Sequence, residues 1–258
     1  GRIMIDLNGK TAALVGTVSE LSIGIAQTLS ESGAHILFLH PSDAAGRLSG
    51  DLRVTGMNAA LRPINFTSPE TLAESLETVA APDIVVLCPG HFQPAEFLDT
   101  RPADWDAAIE ANYERTTFAA QALARCMINE GKGGSMIFLS SVMALMPFIQ
   151  ASLIGTTLTA QWALARMAAV DLAPHKIRVN VVAAGWIEDD WTQPYLHGRA
   201  QITGSIPLGR IGTPREIGHL VAFLASDMAS YITGAVIPAD GGYMITRSDG
   251  DSPFPSLE

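Results

Sequence analysis

Short aliphatic runs alternate with longer stretches of helical spacing along the 258 residues of the chain. Seven runs are apolar almost without interruption: TAALV (11–15), HILFL (35–39), LRPIN (61–65), DIVVL (83–87), SMIFL (135–139), IRVNVV (177–182) and AVIP (235–238). Such runs predict strands covered on both faces. Between them, SIGIAQTLSESG, SPETLAESLETVA, the stretch 102–128, the stretch 153–174 and TPREIGHLVAFLAS place apolar residues at helical intervals, several opened by Ser, Thr or Pro. Strands alternating with helices of this length predict a parallel sheet with crossover helices on both faces, a doubly wound α/β fold. No internal repeat or linker interrupts it. Only the last residues, 246–258, turn polar and proline-containing, so one domain over 1–245 with a polar C-terminal tail is expected.

Composition narrows the possible partners. With 48% hydrophobic and 16% charged residues, the chain can bury one substantial core. Its net charge of -10 disfavours attraction to nucleic acid or an anionic membrane surface. Arg2, Asp6 and Lys10 interrupt the N-terminal apolar residues, and no later run reaches the length of a membrane span, so neither export nor insertion is expected. Cys88 and Cys126 show neither disulfide nor metal-ligand spacing and read as small apolar side chains in a reducing cytoplasm.

In a doubly wound sheet, ligands bind beyond the carboxyl ends of the strands. The first strand-to-helix turn is LVGTVSELSIGIAQTLSESGA (14–34), and late in the chain stands IPLGRIGTPREIGHLVAFLASDMASYITGAVIPADGGYMI (206–245). With DLAPHKIRVNVVAAGW (171–186) and WDAAIEANY (105–113), these stretches resemble the short-chain dehydrogenase/reductase family from the first strand to about Ile245. The resemblance implies a Rossmann-type, single-domain, seven-stranded sheet flanked by helices. It also implies a nicotinamide dinucleotide and a catalytic set of Asn, Ser, Tyr and Lys.

Set against that pattern, many functional positions differ. The three glycines of the family's phosphate turn fall on Gly16, Glu20 and Ser22. A glutamate pointing inward there opposes phosphate by about 4 kcal/mol per like-charge pair at 4 Å and an effective dielectric near 20, whereas one pointing into solvent merely caps the helix. The Ser-Ile-Gly ending at Gly24 suggests a shifted register, but the distance to Gly33 favours the first one. The ribose-binding position is His40, the adenine-contacting aspartate becomes Asn65, and the family's Asn-Asn-Ala-Gly becomes Leu87 to Gly90. Ala184 and Gly185 stand for Pro-Gly, and Asp189 for the threonine that follows. Asn112 and Ser141 match the catalytic asparagine and serine, while Ile154 and Leu158 fall on the tyrosine and lysine. No register shift helps, since no tyrosine lies between Tyr113 and Tyr195 and no lysine between Lys132 and Lys176. Losing an acid-base group typically costs about 10²- to 10⁴-fold in rate.

These departures imply vestigial positions and no cofactor in this chain, with no metal cluster to replace one. The long helices and the late motif, which pair subunits in the family, are kept. The expectation is therefore a catalytically inactive subunit joined to an active short-chain dehydrogenase paralogue that carries NAD, in a heterotetramer. Heteromeric members with one degenerate subunit include the hydroxybenzylsuccinyl-CoA dehydrogenases of anaerobic aromatic degradation, which the chain resembles in this respect. Ala165 and Ala169 are small residues suited to such an interface. Two other readings stand beside it: an active reductase or lyase with a remodelled site using Ser141 and a water, and a ligand sensor without chemistry. His91, His40 and His197 are candidate substitutes for the missing acid or base, and Trp186, Trp191 and Tyr195 lie in the segment that forms the family's substrate lid.

Overall fold

The structure is a computed structural model and describes residues 5–41, 57–66, 68–76, 78–90, 94–190, 192–193 and 199–245. All seven expected strands form: β1 (Thr11–Gly16), β2 (His35–His40), β3 (Ala59–Pro63), β4 (Ile84–Cys88), β5 (Gly134–Ser141), β6 (Ile177–Ala184) and β7 (Val236–Ala239). They make one parallel sheet in the order β3-β2-β1-β4-β5-β6-β7. The chain reverses its direction of winding between β1 and β4, where Ala12 pairs with Ile84 and Gly16 with Cys88. That reversal opens a crevice at the carboxyl edge. β3 begins and ends two residues before the expected run. It is an edge strand paired only with β2, and it closes at Pro63, which has no N–H to donate onward.

The helices are α1 (Glu20–Glu31), α2 (Pro69–Leu76), α3 (Pro102–Ile109), α4 (Arg115–Asn129), α5 (Ser152–Leu172), α6 (Arg199–Gly204) and α7 (Pro214–Ala225). On one face of the sheet, α1 and α7 pack with Leu14, Ile36, Phe38 and Val86 around Ile25, Leu29 and Val221. The two helices approach closely at Gly24, where a Cβ would lie 2.4 Å from Pro214. Gly24 is thus a packing residue rather than part of a shifted phosphate turn. On the other face, α4 and α5 cover Val85, Leu87, Phe138 and Val181.

Helix α5 shows which of its sides meets the core. Ala165 and Ala169 are buried against Val181 and Ala183, so they do not present themselves to a neighbouring subunit as expected. Met167 and Val170, 63% and 72% exposed, occupy the outer side. The expected single helix over 102–128 is broken by a π turn, Glu110–Glu114, between α3 and α4. Apolar spacing runs on through that turn, so periodicity does not reveal it. The expected tail after Ile245 lies outside the described residues. Among the described residues no helix is long and apolar enough to cross a membrane.

Candidate functional site

A cleft of about 250 Å³ opens at the carboxyl ends of β1, β4, β5 and β6. Its walls are Leu21, Val142, Met143, Phe148, Ile149 and Trp186, and its floor includes Ile154 and Leu158. Polar groups are few: Thr17, Ser19, Ser22, Ser140, Ser141, Gln150, Asp189 and Thr192. An apolar cavity with a few convergent polar groups is the usual form of a small-molecule site.

Gly16 ends β1 at φ 110°, and a Cβ there would lie 2.3 Å from the Cys88 carbonyl oxygen. A side chain is excluded both by backbone conformation and by space. Across the crevice, a Cβ on Gly90 would lie 2.2 Å from Thr17 Oγ1. The two turns at the crevice therefore meet backbone to side chain with nothing between them. Ser19 caps α1: its Oγ accepts from Ser22 N–H, and Ser22 Oγ accepts from Ser19 N–H at 2.9 Å. This reciprocal cap satisfies two backbone amides, those of Ser19 and Ser22, without placing a charge there.

Of the two directions expected for Glu20, the exposed one is found. It is exposed and is not among the residues that line the cleft. It is the first residue of α1, directly after the Ser19 cap. His40 is 1% exposed, with Nδ1 2.7 Å from the Pro41 carbonyl oxygen and Nε2 without a partner among the described residues. It turns into the core at the end of β2 rather than toward the cleft, and does not serve as the acid or base there. Asn65 is exposed beyond β3, and its backbone N–H donates to Ser75 Oγ at 3.3 Å. His91, His197, Trp191 and Tyr195 lie outside the described residues.

Ser141 closes β5, and its Oγ accepts from the Met143 N–H at 3.2 Å. Its own hydroxyl hydrogen remains available to a ligand. Ser140 is buried and accepts from Trp162 Nε1. Ile154 and Leu158, 3% and 1% exposed, pack with Ala151, Met143 and Phe148. Asn112 is fully buried in the π turn, where its Nδ2 donates to Thr157 Oγ1 at 3.1 Å. Gln161 Nε2 donates to the Asn112 carbonyl at 3.2 Å and to Thr116 Oγ1 at 3.1 Å. Sequence reasoning missed this cluster, although Thr157 and Gln161, four apart on one helix face, were the available signal.

Asp189 is the other surprise. It is 5% exposed and lines the cleft, with Oδ1 accepting from the Thr192 N–H at 3.1 Å. The Cys88 thiol also lines the cleft, but burial pushes it up to about 12, which keeps it protonated and inert.

A parallel sheet that reverses at a crevice, with glycines in both turns there and an apolar cleft alongside, defines a Rossmann-type ligand-binding protein. The comparisons then specify the family. The model for enoyl-(acyl carrier protein) reductase matches residues 16–244. The L-rhamnose-1-dehydrogenase of Scheffersomyces stipitis is 32% identical, over 93% of this chain and 97% of its own. The 3-oxoacyl-[acyl-carrier-protein] reductase FabG of Escherichia coli is 31% identical, over 93% of this chain and all of its own. An assigned 2-deoxy-D-gluconate 3-dehydrogenase from Agrobacterium tumefaciens, solved with bound NADP, superimposes with a TM-score of 0.84 at 27% identity, covering 93% of this chain and 98% of that one. The chain belongs to the short-chain dehydrogenase/reductase family.

These relatives overturn the expectation of a catalytically inactive subunit without its own cofactor. They are named as dehydrogenases and reductases, they align over nearly their whole length, and one holds NADP. The narrower resemblance to enzymes of aromatic degradation gains no support from these relatives, whose names specify a sugar and an acyl-carrier-protein thioester.

Proposed function

We propose that this chain is a nicotinamide-dinucleotide-dependent oxidoreductase that acts on an apolar carbonyl or acyl substrate in a remodelled cleft. The observation that carries the reading is the cradle bordered by Gly16, Thr17 and Gly90 next to an apolar cavity that Ser141 lines. The cradle suits a dinucleotide because it lies where the winding of the sheet reverses, at the carboxyl ends of the strands and beside the N-terminus of α1. Bound there, the nicotinamide supplies or accepts a hydride.

The chain's own residues do the rest. Ile154 and Leu158 exclude water from the floor and hold an apolar substrate by its shape. Ser141, oriented by the Met143 N–H, donates its hydroxyl hydrogen to the substrate oxygen and takes a replacement proton from water. Asp189, 5% exposed, is the sole carboxylate that lines the cleft among the described residues and can accept a hydrogen bond there. The apolar walls favour an acyl or ketone substrate over a sugar.

The test is calorimetric titration with NADH and NADPH, followed by turnover on apolar ketones and enoyl thioesters. Saturable binding of one dinucleotide and a loss of about 10²-fold in kcat/KM for Ser141→Ala are expected. No binding at millimolar concentration, or turnover indifferent to Ser141→Ala, sinks the reading.

A further inference from the structure

We propose that Arg115 gates the adenosine end of the dinucleotide groove, an inference that rests on the function proposed above. Beyond the cradle, toward β2 and β3, the crevice continues into a slot bordered by Gly16, Thr17, Pro41, Phe66, Gly90 and Arg115. Its volume is only about 40 Å³, room for about one water at roughly 30 Å³ each and not for a purine. The cleft at the substrate end, by contrast, is about 250 Å³.

Arg115 holds the slot in this form. Its guanidinium lies over the Phe66 ring, 5.8 Å from the centroid, within cation-π range. Its Nη2 donates to Glu110 Oε1 at 2.8 Å, and its Nε to the same oxygen at 3.3 Å. Phe66 is fixed in the core with Leu39 and Leu72, so it does not yield. Arg115 can: its side chain is 38% exposed, and an exposed ion pair with one ring contact is a weak restraint. Pairing with Glu110 also neutralises the arginine, which argues for an occluding side chain rather than a hook for phosphate. A purine enters only when the guanidinium leaves Phe66 for solvent, so the measured affinity is reduced by the fraction of open chains.

The experiment compares the full chain with Arg115→Ala by calorimetry, using NADH, AMP for the adenosine half and nicotinamide mononucleotide for the other half. If the gate is closed about nine-tenths of the time, Arg115→Ala tightens NADH and AMP about tenfold and leaves the mononucleotide unchanged. Arg115→Gln, which shortens and neutralises the side chain, tightens NADH and AMP by a smaller factor where a lost phosphate ligand would weaken them, and serves as the readout should Arg115→Ala fail to fold. NADH affinity that is unchanged or weaker in Arg115→Ala overturns the gate, the weaker case marking the arginine as a phosphate ligand. Binding of neither NADH nor the mononucleotide to either chain overturns the proposed function and the gate with it. Mononucleotide binding with an unresponsive NADH affinity overturns the gate alone.

Discussion

Two faces of helix α5 differ by one step around the same cylinder. The cleft face presents Ile154 and Leu158, packed with Ala151, Met143 and Phe148. The face toward the π turn presents Thr157 and Gln161, bonded to Asn112 and Thr116. Family resemblance placed polar chemistry on the first face, yet the polar groups stand on the second. There they close backbone that the π turn leaves open: the Asn112 carbonyl receives both Gln161 Nε2 and Thr116 Oγ1, the latter at 2.7 Å. A buried carbonyl without such donors is costly, which is why the polar residues sit where the helix is irregular. The cleft face is left free to be dry, and a dry floor strengthens each hydrogen bond made by the remaining Ser141.

The largest effect is expected from reversing the contrast. Leu158→Lys puts an ammonium into the apolar cluster under the cleft, where it is desolvated and has no carboxylate among its packing partners. A buried lysine shifted by 3–5 pKa units corresponds to roughly 4–7 kcal/mol of lost stability, read by urea unfolding. A variant as stable as the parent would mean that the floor is wet and the contrast illusory. A smaller effect is expected on the polar face. Gln161→Leu removes one of the two donors from the Asn112 carbonyl, which keeps Thr116 Oγ1, and costs about 0.5–1.5 kcal/mol, with faster amide hydrogen exchange over residues 110–115. Stabilisation by Gln161→Leu would show that the cluster does not close the turn.

How much of this was legible beforehand depends on the range of the interaction. The buried strands announced themselves because a run such as DIVVL has one environment on both faces. β3 slipped by two residues because an edge strand is half exposed and its apolar run says little about where pairing stops. The π turn was hidden, since apolar spacing runs on through it. The direction of Glu20 was not readable: spacing aligns it with a glycine, but only the orientation of α1 decides that it faces outward. Ala165 and Ala169 are equally small whether they meet a subunit or a sheet. Arg115 over Phe66 joins residues 49 positions apart, and no local pattern encodes that contact.

The smallest effect separates polar closure without charge from closure with it. The α5 cluster contains no ionisable group, so its contribution should not vary with pH. The cap of α7 is built differently: Glu216 accepts from the Thr213 N–H at 2.9 Å and pairs with Arg210, Nη1 to Oε2 at 2.9 Å. The Arg210 hydrogen bonds, opposed by modest burial and helped by Thr213, hold the Glu216 carboxyl down to about 2 from an ordinary 4.5. Because the folded state holds this proton less tightly than the unfolded chain, the contribution is fully present above about pH 4.5 and is lost as pH falls toward 2. The side chain is 43% exposed, so solvent and salt screen the pair and the effect is modest. Glu216→Gln preserves the capping geometry and removes the charge. Thermal unfolding from pH 7 to 2.5 should therefore show a shallower acid decline for Glu216→Gln than for the parent. Gln161→Leu should shift the whole curve down in parallel. An acid decline of the parent's steepness in Glu216→Gln would assign it to other carboxylates, of which Glu31, lowered by its hydrogen bond from Arg215, is the first to test.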